Sequence, residues 1–184
     1  MTPAPPAAGV VLAAGEGRRF GGPKAPFEFE GERLVDRAVR VLREAGCVPV
    51  VVVLGAWTGE VDNAVVIINP DWPEGMGSSL RIALEWIDTT TQAEHAVITL
   101  VDLPGLTSEA VRRVMEAPTG ITVATFDGER GHPVRIPREH FQELIDTAAG
   151  DQGARAFLAG RDDITFIEVA DVADGNDLDV APHA

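Results

Sequence analysis

The segment of residues 10–24 constrains this 184-residue chain more than any other part of it. It begins with the apolar run Val10-Val11-Leu12-Ala13-Ala14, which is typical of a strand buried on both faces. The run breaks into a loop that contains four glycines, two arginines and Lys24, the only lysine of the chain. Glycines permit positive φ angles and leave backbone amides open to a ligand, and such amides form a donor surface for anions. The segment therefore predicts a polyphosphate site at the end of a first strand.

Two widespread glycine motifs do not describe this loop. The dinucleotide fingerprint G-x-G-x-x-G requires a third glycine at the position of Phe20. The Walker loop requires its lysine directly after the last glycine, whereas Pro23 separates Gly22 from Lys24. The loop is therefore neither a dehydrogenase nor a P-loop signature. Lys24 still suits a phosphate group, because an ammonium is a compact point charge that can contact several oxygens at once.

The hydrophobic pattern alternates between strands and helices along the chain. Strands are predicted at 9–14, 48–54, 65–68, 96–100, 121–126, 134–136 and 164–169. Helices are predicted at 34–45, from Ser78 or Ser79 as N-cap to 87, from Thr107 as N-cap to 117, at 137–148 and at 154–158. This alternation predicts an α/β protein, namely a three-layer α/β/α, Rossmann-like domain with a largely parallel sheet. The length predicts one domain over 1–184, with a proline-rich, disordered lead-in at 1–8.

Charge and hydropathy narrow the classes of partner. The net charge of −14 argues against nucleic acid. No apolar run approaches the roughly 20 residues needed to cross a bilayer, and the first residues lack a basic signal region. We therefore expect no membrane partner and a cytoplasmic location. The same negative charge repels nucleotides, so a nucleotide site here needs amides, cationic side chains and a divalent metal ion at short range.

Polar residues follow several of the predicted strands. Ligands of parallel sheets bind beyond the carboxyl ends of the strands, so Gly15, Asn69 and Asp102 are expected at one edge. Asp102 offers the carboxylate oxygen that Mg²⁺ prefers, although a strand-end aspartate can also cap a turn. The acidic tail, with Asp177 and Asp179, supplies a second carboxylate or else is a frayed, solvated terminus.

Five motifs together resemble the MobA/MocA-like nucleotidyltransferases. They are LAAGEGRRFGGPK at 12–24, NPDWPEGMGSSL at 69–80, VDLP at 101–104, GHPV at 131–134 and GDQGAR at 150–155. Many sugar and isoprenoid nucleotidyltransferases share the first motif, here with Phe20 in place of the usual methionine or leucine. The second, fourth and fifth motifs are much narrower and are closest to the molybdenum cofactor cytidylyltransferase branch. The L-A-A-G sequence, where GTP-using relatives have L-A-G-G, favours CTP.

The resemblance implies Mg²⁺-dependent transfer of CMP from CTP to a molybdopterin-type phosphate, with release of pyrophosphate. Arg19 and Lys24 are then the catalytic cations that stabilise charge on the pyrophosphate. The expected nucleotide-binding residues are Leu12, Ala13, Ala14, Gly15, Gly17, Lys24, Gly75 and Ser79. The expected metal ligands are Asp102 and Asp179, with Asp177 as an alternative because Val180-Ala181 replaces the family's Thr-Pro. His132 and Arg155 are expected to face the molybdopterin phosphate.

Three other functions remain open. The acceptor could be a sugar or polyol phosphate, since nothing in the narrow motifs explains pterin recognition physically. The fold could also serve an NAD(P)-dependent oxidoreductase, because fold does not determine function, although the absent dinucleotide fingerprint argues against it. The third is a non-catalytic molybdopterin-binding protein. A molybdoenzyme that receives the product is a further expected partner.

Overall fold

The computed structural model describes residues 6–118 and 120–180. Its strands are β1 (Ala7–Ala13), β2 (Glu28–Phe29), β3 (Glu32–Arg33), β4 (Val50–Leu54), β5 (Val65–Ile68), β6 (His95–Leu100), β7 (Ile121–Phe126), β8 (Glu129–Pro137) and β9 (Ile164–Glu168). Its α-helices are α1 (Leu34–Ala45), α2 (Met76–Thr90), α3 (Ser108–Glu116), α4 (Phe141–Thr147) and α5 (Arg155–Leu158). Short 3-10 turns lie at Trp72–Glu74, Arg138–His140 and Gly150–Gln152. Within these described ranges, no helix combines the length and apolar character needed to span a bilayer.

Seven of the strands form one sheet in the order β5-β4-β1-β6-β8-β7-β9, while β2 and β3 form a separate hairpin. Every neighbouring pair in the large sheet is parallel except the two pairs made by β8. The carboxyl ends of β5, β4, β1 and β6 therefore meet at one edge. Because β8 pairs antiparallel with β6, matching Ile98 to Val134, the beginning of β8 lies at this same edge. We call it the carboxyl edge.

Helices cover both faces of the sheet, which explains why β1 and β4 are buried along their whole length. Alternate residues of these strands enter two cores: Val11 packs with α1 and α3, whereas Val10 packs with α2, α4 and α5. The helix at 34–45 has the predicted bounds and ends at Gly46, whose φ of 103° satisfies the left-handed C-cap. The three-layer α/β architecture with a mostly parallel sheet is thus confirmed.

Several boundaries differ from the sequence prediction because of contacts made elsewhere in the chain. Strand β8 begins at Glu129 rather than 134, because the turn at Asp127-Gly128 pairs it with β7 as a hairpin. The helix predicted at 137–148 is a 3-10 turn followed by α4. Of the predicted disordered lead-in at 1–8, residues 1–5 lie outside the described ranges. The prediction of disorder was wrong for residues 7 and 8, because both are buried in β1.

The predicted serine cap of α2 was also wrong. The helix begins at Met76 with Gly75 as its N-cap and with no side-chain capping bond. Ser78 and Ser79 lie inside the helix, where both hydroxyls accept hydrogen bonds from the buried Asn69 side chain. The N-cap of α3 matches the prediction, since the Thr107 hydroxyl accepts from the amide of residue 110.

A buried arginine stabilises the end of α3. Arg135 is 3% exposed and donates to the carbonyl oxygens of Met115 at 2.7 Å, Ala117 at 3.0 Å and Gly120 at 3.0 Å. The carbonyls of Met115 and Ala117 have no partner within the helix, because the last turn of a helix leaves its acceptors unsatisfied, and Gly120 follows the helix. The guanidinium therefore joins β8 to the end of α3.

We expect Arg135→Met to lower the free energy of unfolding by about 2–4 kcal/mol, since each buried acceptor left unpaired costs about 1–3 kcal/mol. Urea denaturation measures the change. The control is Arg81→Met, because Arg81 is 40% exposed and has only a long ion pair with Glu74 at 3.5 Å. That control should change the free energy by less than about 1 kcal/mol. Equal stabilities of the two variants would contradict the structural role of Arg135.

Candidate functional site

The glycine loop after β1 folds back on itself at the carboxyl edge. The carbonyl oxygen of Gly17 accepts hydrogen bonds from the amides of Gly21 at 2.9 Å and Gly22 at 3.1 Å. Gly17 has a φ of 63°, and a Cβ there would overlap the Gly22 carbonyl, so only glycine permits this closure. Gly15 is exposed, and open space surrounds the position of its missing Cβ. The loop therefore leaves its beginning accessible to a ligand.

Two adjoining clefts lie against this loop. The larger has a volume of about 520 Å³, which is within the range of small-molecule sites. We call it the apolar cleft because its wall includes the large apolar side chains of Trp72 and Met76, although the charged residues Glu16, Arg18 and Asp151 also line it. The smaller has a volume of about 200 Å³ and contains Lys24 and Asp102; we call it the charged cleft. The two share the residues Leu12, Gly15 and Met76.

All eight residues predicted to bind the nucleotide line one or both clefts. Those in the apolar cleft are Leu12, Ala14, Gly15, Gly75 and Ser79, and those in the charged cleft are Leu12, Ala13, Gly15, Gly17 and Lys24. Their common location follows from the topology, because β1 lies in the middle of the parallel strands and α2 begins beside its carboxyl end. Their binding roles remain predictions.

Lys24, which lines the charged cleft, lies between two aspartates. Lys24 Nζ donates to Asp102 Oδ2 at 2.7 Å and lies 3.9 Å from Asp179 Oδ1. The side chains of Lys24 and Asp102 are only 15% and 17% exposed, so water screens their interaction less than that of a surface pair. The ring of Phe20 shields the ammonium further, with its centroid 5.8 Å from Nζ. In the chain, Lys24 and Asp102 are 78 positions apart, and Asp102 and Asp179 are 77 positions apart. The folded structure brings all three together.

The acidic tail packs against the carboxyl edge instead of being frayed. The amide of Leu178 donates to the Asp102 carbonyl at 2.9 Å, and the amide of Asp174 donates to the Gly105 carbonyl at 3.0 Å. These two bonds place Asp179 next to Lys24. Asp177 is exposed, and among the described residues it makes no ion pair with Lys24.

The two carboxylates beside Lys24 could hold a divalent metal ion. Among residues 6–118 and 120–180, no cluster of three or more His, Cys, Asp or Glu side chains could do so. Mg²⁺ does not need such a cage, because it typically takes one or two carboxylates and completes its coordination with phosphate oxygens and water. Asp102 and Asp179 therefore fit a metal ion that enters together with a polyphosphate.

The three other predicted site residues, His132, Arg19 and Arg155, differ in burial and in their distance from the clefts. His132 lies at the beginning of β8, near Asp102; burial lowers its pKa to about 4, while the Asp102 carboxylate acts in the opposite direction. His132 is thus neutral at neutral pH and could offer a hydrogen bond but no positive charge. Arg19 and Arg155 are exposed, and neither side chain is among the described residues that line the two clefts. The roles predicted for these three residues stay predictions.

The sequence prediction did not include two residues that shape the apolar cleft. Asn69 was expected only at the edge, but its amide nitrogen donates to the hydroxyls of Ser78 at 2.9 Å and Ser79 at 3.0 Å and holds the latter at the cleft. Asp151 was part of a quoted motif without a role, yet it lines the same cleft. The motifs themselves were the available signal, because each of these residues lies within one of them.

Comparison with known sequences identifies relatives with different names. The nicotine blue oxidoreductase of Paenarthrobacter nicotinovorans is 34% identical over 195 residues, covering 97% of this chain and 94% of that protein. A probable molybdenum cofactor guanylyltransferase of Opitutus terrae is 58% identical over 129 residues, covering 66% of this chain and 61% of that protein. The molybdenum cofactor cytidylyltransferase of Escherichia coli is 24% identical over 171 residues, covering 89% and 86%.

Solved structures of mycobacterial proteins are also similar to this fold. The structure of an rv0371c homolog from Mycobacterium sp. strain JC1 has a TM-score of 0.77 at 30% identity, covering 95% of this chain and 90% of that one. A manganese complex of Rv0371C from Mycobacterium tuberculosis has a TM-score of 0.73 at 27% identity, covering 89% and 88%. The MobA-like NTP transferase domain matches residues 9–165, which is most of the chain. The protein therefore belongs to the MobA-like NTP transferase family.

Proposed function

We propose that this nucleotidyltransferase is a cytidylyltransferase that transfers CMP from CTP to a molybdopterin-type phosphate and releases pyrophosphate. The observation that carries the proposal is Lys24 between Asp102 and Asp179, beside an open glycine loop and where two clefts adjoin. The apolar cleft has a volume that can hold a nucleobase and includes the ring of Trp72 in its wall. The charged cleft contains Lys24 and Asp102, with Asp179 beside Lys24, and these are the charges that a triphosphate with a divalent metal ion requires.

In the proposed reaction, an oxygen of the acceptor phosphate attacks the α-phosphorus of CTP. A new P–O bond forms, the bond from the α-phosphorus to the bridging oxygen breaks, and pyrophosphate leaves with that electron pair. The chain contributes mainly position and charge. The loop amides around Gly15 hold the phosphates, and Lys24 neutralises the charge that grows on the leaving group. A divalent metal ion at Asp102 and Asp179 supplies further neutralisation when bound.

The choice of CTP and of Mg²⁺ is supported by the sequence of the loop and by relatives of this chain. The L-A-A-G sequence at 12–15 and the likeness to the Escherichia coli cytidylyltransferase favour CTP, whereas the likeness to the Opitutus guanylyltransferase favours GTP. The manganese bound by the mycobacterial neighbour supports a divalent ion, for which we propose Mg²⁺. We propose His132 and Arg155 as contacts of the acceptor, because guanidinium groups orient phosphates well.

Pyrophosphate release tests the function directly. The protein is incubated with Mg²⁺, CTP and molybdopterin, and in parallel with GTP in place of CTP or a sugar phosphate in place of molybdopterin. We expect release from CTP and molybdopterin at least tenfold faster than from either other combination. Faster release with GTP, or with the sugar phosphate, would contradict the proposed nucleotide or acceptor. Tight molybdopterin binding without any release would indicate a non-catalytic binding protein.

A second candidate is an NAD(P)H-dependent oxidoreductase. It is supported by the nicotine blue oxidoreductase, which is similar along 97% of this chain. Against it, the loop after β1 has Phe20 where the dinucleotide fingerprint requires its third glycine. Oxidation of NADH or NADPH with nicotine blue as the acceptor, followed by absorbance, decides between the two. Turnover there, without pyrophosphate release from CTP, would replace the first proposal by the second.

A further inference from the structure

We infer that the carboxylate of Asp151 recognises the exocyclic amino group of the nucleobase and so makes the apolar cleft select cytosine over uracil. This inference rests on the proposed function, since it concerns the base of the nucleotide that the site is proposed to bind. Asp151 lines the apolar cleft together with Ser79 and the side chain of Trp72. Asp151 is exposed, and among the described residues no cation pairs with its carboxylate, since Arg18, which lines the same cleft, pairs with Glu16.

Glycines at the beginning of α2 determine where Asp151 lies. A Cβ at Gly77 would lie 2.6 Å from the backbone nitrogen of Ala149, closer than real side chains come. A Cβ at Gly75 would overlap the backbone of Gly150 and would lie 2.7 Å from Asp151 Oδ1. The segment 149–151 is therefore packed directly on the helix backbone. This close packing is possible only with glycine at both positions, and it positions the Asp151 carboxylate along the cleft.

Ser79 supplies the complementary donor in the same cleft. The Asn69 side-chain oxygen accepts from the amide of Asp71 at 3.0 Å, so the amide nitrogen must face the serines. That nitrogen donates to the Ser79 oxygen at 3.0 Å, and the serine hydrogen has no acceptor among the described residues. The hydroxyl can therefore donate to a ligand. The cleft thus presents Asp151 as an acceptor and Ser79 as a donor, while its other charged residues, Glu16 and Arg18, pair with each other.

This pair matches the edge of cytosine. Cytosine presents an amino donor beside a ring-nitrogen acceptor, whereas uracil has the reverse order, with a carbonyl oxygen in place of the amino group and an N–H in place of the ring acceptor. A carboxylate accepts from the amino group with a charge-assisted bond and repels the carbonyl oxygen. Guanine also presents amino and ring N–H donors, so Asp151 does not by itself exclude it. The expected selection is therefore a preference for bases that carry an amino group over uracil.

The test measures binding of CTP, GTP and UTP by calorimetry in Mg²⁺, with no acceptor present. We expect the wild-type protein to bind CTP at least tenfold more tightly than UTP, and Asp151→Asn to reduce that ratio to about threefold or less. Gly77→Ala should also lower the ratio, because it displaces the segment that carries the carboxylate. The matched control is Asp162→Asn, an exposed aspartate outside both clefts, which should retain the wild-type ratio.

The outcomes separate this inference from the proposed function. An unchanged CTP-to-UTP ratio in Asp151→Asn, with CTP still bound, would overturn the role of Asp151 and leave the cytidylyltransferase proposal intact. Preferential binding of GTP that Asp151→Asn weakens would support the recognition of an amino-bearing base and overturn the choice of CTP. Absence of binding of any of the three nucleotides to the wild-type protein would overturn both.

Discussion

Replacing Lys24 with alanine is expected to lower kcat/KM for CTP at least tenfold, a loss of more than about 1.4 kcal/mol of transition-state stabilisation. Removing one preorganised electrostatic group from an active site typically costs a hundredfold or more. Lys24 has the required properties, because its side chain is only 15% exposed and its ammonium lies within 4 Å of both Asp102 and Asp179. Its long stem lets the ammonium move from these carboxylates to phosphate oxygens when a nucleotide enters. Steady-state pyrophosphate release measures the effect.

The chain offers suitable controls for the lysine variant. Arg43→Ala removes an exposed cation at the end of α1, on a part of the surface that touches neither cleft, and should retain full activity. Thermal unfolding of Lys24→Ala checks that the variant is folded at the assay temperature. Full activity of Lys24→Ala would contradict a catalytic role for Lys24. The same measurement on Arg19→Ala tests the second predicted catalytic cation. A decrease in kcat/KM of less than twofold would contradict a catalytic role for Arg19.

Asp102→Asn is expected to lower kcat at least tenfold and to raise the Mg²⁺ concentration needed for half-maximal rate. Asparagine preserves the size of the side chain but loses the charge that balances Lys24 and that a hard cation prefers. The metal dependence, measured by titration of Mg²⁺ at saturating CTP, distinguishes this effect from a general disturbance of the fold. An unchanged kcat and Mg²⁺ titration would contradict the assignment of Asp102 as a metal ligand.

The tail provides matched aspartates for comparison. Asp171 binds Arg113 through two bonds of 2.7 and 3.0 Å at the surface, so Asp171→Asn controls for the loss of one negative charge there. Asp179→Asn should reduce activity more than Asp177→Asn, because Asp179 is the tail carboxylate that lies 3.9 Å from Lys24. A larger effect of Asp177→Asn would exchange the two residues in the proposed metal site.

A sequence pattern predicts the elements that depend on neighbouring residues and misses those that depend on contacts between distant segments. The bounds of α1, β5 and β7 were predicted correctly, because apolar periodicity and flanking glycines are properties of neighbouring residues. The beginning of β8 was missed, since Glu129 and Arg130 show no apolar alternation and pair only because β7 lies beside them. The serine cap of α2 failed for a similar reason, because Asn69 binds the two hydroxyls after the helix has docked.

By itself, the sequence determined the alternation of strands and helices, and with it the edge of the sheet at which Gly15, Asn69 and Asp102 lie. These features depend on residues close together in the chain, and parallel strands bring their ends to one place. Only the tertiary structure decided that Lys24 lies between Asp102 and Asp179, and that Asp151 lies at the apolar cleft. Both depend on packing between distant segments, the tail on the carboxyl edge and residues 149–151 on the glycines of α2. Such contacts follow from the shape of the assembled layers, which no local pattern contains.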